Sequence, residues 1–137
     1  MANTWYPLCV DAWEKNTTPV DLDGDTIKAI LVDLADYTYN AAHEFLSDVP
    51  AAARVATSAA LANKTVSARV FDADNAAFTA VAGDQVEAII LYKDTGVEAT
   101  SRLVLFLDTG ITGMPYTPSG ADVTVAWDNG ANKIARL

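Results

Sequence analysis

Scarcity is the first feature of this chain. Its 137 residues include one cysteine and one histidine, and nine basic residues face eighteen acidic ones. A single cysteine, Cys9, excludes an intrachain disulfide. With one histidine available to activate it, Cys9 reads as a small buried hydrophobe near the N-terminus rather than a nucleophile. His43, flanked by Ala42 and Glu44, cannot by itself build a zinc site or a catalytic triad, which leaves it a packing or surface role. No metal or cofactor signature accompanies it. No apolar run approaches the ~20 residues that a membrane span requires, so no membrane partner is expected. The opening MANTWYPLCVDAWEKN lacks the basic flank and apolar stretch of a secretion signal, giving the expectation of a protein made in a cytoplasm. The shortage of bases bears on partners as well. Residues 1–50 carry nine acids and two bases, and residues 51–137 nine acids and seven bases. A net charge of −9 is repelled by phosphate backbones, so direct nucleic-acid binding is not expected.

What is present is organised around VEAIILYKDTGVEATSRLVLFL, residues Val86 to Leu107. It holds two apolar runs, Ala88–Tyr92 and Leu103–Leu107, joined by a polar connector. Neither run alternates apolar with polar residues, so neither has a face meant for water. Short β-branched and aromatic runs bounded by turn residues read as strands covered on both faces. The pair predicts a central hairpin. At this length one core buries about two-thirds of the unfolded surface without staples.

The remaining segments read as short strands and turns. Residues 3–16 carry Trp5, Tyr6 and Trp13 among polar residues, and so aromatic a terminus docks onto the body or onto a neighbour. Val20–Asp25 places carboxylates at alternate positions like a calcium loop. Thr26 and Val32, however, stand where the sharp-turn glycine and the bidentate glutamate belong, so the segment reads as an Asp-Gly turn into a strand at Ile27–Val32. Thr38–Leu46 has room for one or two helical turns, with Asn40 as a cap. Strands are expected at Arg54–Ala59, Thr65–Phe71, Ala77–Val81 and Asp122–Trp127, the last turning through Asp128-Asn-Gly130 to pair back with Lys133–Leu137. The result is an all-β fold: a single-domain β-sandwich, jelly roll or small barrel with at most one short helix. It divides into an aromatic arm, residues 1–19, and one β domain, residues 20–137.

One pattern has a catalytic look. Asp-Thr-Gly occurs at Asp94–Gly96 and Asp108–Gly110, the second after an apolar strand as in retroviral-type aspartic proteases. Such enzymes need two aspartates facing each other. Fourteen residues apart, at both ends of one hairpin arm, these two cannot supply the two lobes of a single-chain enzyme, though dimerisation could pair them. The later apolar-apolar-glycine brace is missing, and Asp-Thr-Gly is also ordinary turn chemistry. No catalytic residue is assigned.

In order along the chain, the blocks DLDGDTIKAILVD, HEFLSDVPAAARVATSAALANKTV, FDADNAAFTAVAGDQVEAIILYKDTG, SRLVLFLDTG and VTVAWDNGANKIARL resemble a family of small virion-associated proteins of tailed bacteriophages. The resemblance runs from about Val20 to the C-terminus. These are turn and core patterns, so they mark a lineage rather than a mechanism. The resemblance implies a non-enzymatic structural component of the virion: a capsid decoration, or cement, protein partnered by the major capsid protein. A tail- or neck-associated module that binds a receptor or glycan is the alternative, for which Tyr92, Tyr116 and Trp127 are the recruitable aromatics; Tyr92 and Trp127 lie in expected strands and read as packing residues. A small homo-oligomer, a trimer by preference, is expected to grip the shell through Trp5, Tyr6 and Trp13.

Overall fold

A computed structural model describes residues 3–137. Met1 and Ala2, the first two residues of the expected arm, lie outside the described residues. The elements in chain order are strand β1 (Thr4–Trp5), helix α1 (Pro7–Lys15), and strands β2 (Ile27–Val32), β3 (Arg54–Thr57), β4 (Thr65–Ser67), β5 (Val70–Asp72) and β6 (Ala76–Phe78). Then come β7 (Ala88–Lys93), β8 (Leu103–Leu107), β9 (Val123–Val125) and β10 (Ala135–Arg136). They form a five-stranded sheet in the order β1-β8-β7-β2-β3, a three-stranded sheet β10-β5-β4 and a two-stranded sheet β6-β9. Every pairing is antiparallel. The fold is therefore all-β with one short α-helix, as the apolar runs require. Among the described residues no helix is long and apolar enough to cross a membrane.

The expected hairpin is the centre of the large sheet. Ile89 pairs with Leu107, and Leu91 with Leu105; β2 flanks β7 over its whole length, from Ile27↔Lys93 to Val32↔Ala88. Every residue of β8 is buried, and so is β7 up to Tyr92. Both faces are covered, which explains the missing alternation. On the face carrying Phe106, the rings of Tyr37 and Tyr39 pack at centroid distances of 6.4 and 5.4 Å. On the face carrying Leu105, Trp5, Ile134 and Ala135 close in around a small cavity.

The structure corrects several local expectations. Helix α1 forms where an arm was expected. Pro7 opens it, where the missing N–H costs nothing, and Asn16 closes it in a left-handed conformation (φ 52°). Thr38–Leu46 makes no α-helical turn. Asn40 Oδ1 accepts the Ala42 amide at 2.8 Å, a local bond that competes with helix. Single 3₁₀ turns follow at Leu46–Asp48 and Ala51–Ala53. Thr65–Phe71 is a hairpin rather than one strand: Ala68 and Arg69 both take positive φ (49° and 68°) and reverse the chain between β4 and β5. The C-terminal strand pairs with β5, whereas β9 pairs with β6, so the Asp128-Asn-Gly130 turn does not close a hairpin.

Candidate functional site

The described part of the terminal segment is built into the body. Thr4 and Trp5 pair with Phe106 and Leu105 of β8, and the Tyr6 amide donates to the Val104 carbonyl at 2.9 Å. Tyr6 is fully buried, its hydroxyl 2.8 Å from that of Tyr37, which lies 2.9 Å from His43 Nδ1. Burial, then the bond to Tyr37, pushes the Tyr6 hydroxyl far above the ordinary range of a tyrosine. As an anchor for a partner, Tyr6 is thus corrected: it is a core residue; half-buried His43 packs against Tyr37, the first of the two roles expected of it.

Trp5 and Trp13 differ. Both are half-buried and meet edge to face, 5.4 Å between centroids at 70°. The Trp13 indole N–H donates to the Val20 carbonyl (2.6 Å) and that of Trp5 to the Arg136 carbonyl (3.0 Å). With their polar ends engaged inside the chain, what they present outward is ring surface. They wall an open groove of about 340 Å³ together with Val20, Leu22, Val66, Phe71 and Leu137. Val66 and Leu137, 44% and 43% exposed, are two of the three exposed large hydrophobics among the described residues. Asp21, Asp23 and Arg69 supply the charged rim. The Asp23 side chain, followed by the Gly24 amide, holds the Asp21 carboxyl below the usual carboxylate range.

The segment that looked like a calcium loop spends its carboxylates internally. Asp21 Oδ1 accepts the Gly24 amide (3.1 Å), and Asp25 Oδ2 accepts the Asp21 amide (2.8 Å) while pairing with Lys93 (2.9 Å). A Cβ on Gly24 would lie 2.4 Å from an Asp21 carboxylate oxygen, so a side chain there would make the exposed Asp21 carboxylate swing aside and give up its bond to the Gly24 amide. Elsewhere Asp33, Asp36 and Asp84 bring carboxylate oxygens within 4.8 Å of one another, with Asp33 Oδ1 already accepting the Ala35 amide.

The two Asp-Thr-Gly segments sit at opposite ends of the central hairpin, one beyond Lys93 and the other beyond Leu107. Asp94 pairs with Lys28 (2.7 Å) and accepts the Gly96 amide (2.9 Å). Asn3 Oδ1 accepts the amides of Asp108 (2.8 Å) and Thr109 (3.0 Å). Gly96 and Gly110 take φ of 83° and 71°, which marks both segments as turns. Within one chain the aspartates do not meet. Cys9 is buried, and desolvation pushes its thiol up to about 12 against a smaller lowering by Arg102. Tyr92 belongs to the core, and Trp127 donates to the Asp74 carbonyl at 3.0 Å.

Sequence reasoning missed the groove's far wall and one polar anchor. Val66, Phe71 and Leu137 join Trp5 and Trp13 only because β10 returns to β5. Arg102, 6% exposed, bonds Glu44 Oε1 (2.9 Å) and Thr18 Oγ1 (3.2 Å) and lies 5.0 Å over the Phe45 ring. An arginine opening the apolar run Leu103–Leu107 was the available signal. No protein-family model matches the chain, and no curated protein matches it.

Proposed function

We propose that this protein is a non-enzymatic structural component of a tailed-bacteriophage particle, a decoration protein that binds the major capsid protein on the outer surface of the head. The sequence blocks from Val20 onward support the lineage. The observation that carries the docking role is the groove built on Trp5 and Trp13. Two large aromatics are held rigid by their own N–H bonds and offer apolar surface to solvent. Preorganised aromatic anchors concentrate binding energy because little side-chain freedom is lost on contact. A core closed on both faces of its main sheet suits a clamp that must keep its shape under load.

Purified protein is mixed with undecorated head shells, and separately with isolated tails, and sedimented. Saturable binding to shells, with added density on local symmetry axes and a trimer in solution, is the expected outcome. Trp13→Ala should weaken shell binding by at least about 2 kcal/mol, while Tyr6→Phe, altered only in the core, should leave it unchanged. Saturable binding to tails with none to shells would overturn the head assignment in favour of a tail module.

A further inference from the structure

The groove beside Trp5 and Trp13 adjoins an open sheet edge, and the two features call for the same ligand. Strand β4 ends its sheet, pairing with β5 alone, and its three residues are exposed. Because a two-residue turn joins β4 to β5, the closing pair Ser67–Val70 is the hydrogen-bonded one, and alternation makes Val66↔Phe71 the pair that does not exchange bonds. The Val66 N–H and carbonyl therefore point outward, away from β5. The same residue puts its half-exposed side chain into the groove wall. Asp21 and Asp23 outnumber Arg69 on the groove's charged rim, and the two aspartates belong to a chain half that carries nine acids and two bases.

We infer that this face docks an extended polypeptide segment of the partner, which adds as a strand along β4. The segment places one large apolar side chain between Trp13 and Val66 and a flanking lysine or arginine against Asp21 and Asp23. Main-chain bonds to an exposed edge supply affinity, and the pocket beside that edge selects alternate side chains. With two aspartates to one arginine on the rim, basic flanks are favoured over acidic ones, since like charges brought together are unfavourable. The inference rests on the structural-protein reading only for where the segment is found, in the shell protein.

The test uses the full chain and three synthetic twelve-residue peptides, followed by tryptophan fluorescence and backbone chemical shifts. One has alternating apolar residues around a central leucine, with lysine flanks; the second has glutamate flanks; the third carries proline at the position whose amide would donate to the Val66 carbonyl. The lysine-flanked peptide should bind, weaken with added salt, and shift residues of β4 and α1. The glutamate and proline versions should bind at least tenfold more weakly. Val66→Lys, a surface change that leaves the circular dichroism spectrum intact, should abolish binding, and Asp23→Asn should weaken it several-fold. Equal binding of all three peptides, binding of none, or shifts confined to other strands overturns the inference. Shell binding by wild type that Val66→Lys leaves untouched also overturns it while the decoration reading stands. Peptide binding on β4 by a protein that ignores shells overturns the decoration reading alone.

Discussion

At the residue scale, the chain's few charged groups near the core are held by specific partners. Arg102 is the clearest, bonded to Glu44 and Thr18 and stacked over Phe45. Removing one member of a fully buried pair costs about 3–5 kcal/mol because the other charge is stranded. Here Glu44 keeps 38% of its side chain exposed, so it is resolvated when its partner goes. Arg102→Met should therefore cost only about 1.5–3 kcal/mol, the range for hydrogen bonds to a charged group. Urea unfolding checks this, and a loss near 5 kcal/mol would show Glu44 stranded instead.

At the element scale, the turn between β4 and β5 stands out. Ala68 and Arg69 both occupy the left-handed region, which costs an L-residue with a Cβ about 1–2 kcal/mol each. The conformation is that of the two-residue hairpin turn that Asn-Gly adopts without strain. Ala68→Asn combined with Arg69→Gly should stabilise the protein by about 1–2 kcal/mol, raising Tm by roughly 3–6 °C for a domain of this size. Calorimetry gives the answer, and an unchanged or lowered Tm refutes the turn assignment. The absence of Asn-Gly here is why Thr65–Phe71 reads as one strand in the sequence. Two ordinary residues take a shape held by the pairing of β4 with β5 and of β5 with β10, and by the burial of Phe71.

At the scale of the whole molecule, stability should depend on acid in a defined window. The Lys28 ammonium, then the Gly96 amide, hold Asp94 below the usual carboxylate range, and the amides of Glu44 and Phe45 do the same for Asp48. Depressed folded values mean that the unfolded chain binds protons first. The stabilisation is present above the unfolded value of about 4 and is lost as pH falls through the lower folded values. Thermal unfolding should show Tm nearly level from pH 6 to 8 and falling below about pH 4. Asp94→Asn should make that fall shallower; an identical acid limb in the variant would show that Asp94 does not contribute.

The sequence by itself determined the fold class and its centre. Ala88–Tyr92 and Leu103–Leu107 had no polar face to offer water, so they had to lie inside a sheet with both sides covered, and they do. It also showed Val20–Asp25 as a turn, because Asp and Gly carry their own local bonding rules. Which aromatics meet solvent was beyond it. Trp5, Tyr6 and Trp13 look alike as letters, but β1 pairing with β8 turns Tyr6 inward, its hydroxyl on that of Tyr37 and its ring against Tyr39, and leaves the two indoles at the rim. The groove likewise needs Val66 and Leu137, separated in sequence from the tryptophans by more than fifty residues and brought to them by β10 crossing back to β5. Local patterns are set by neighbours a few positions apart, whereas this surface is set by long-range strand pairing, whose register is decided only when the whole core packs.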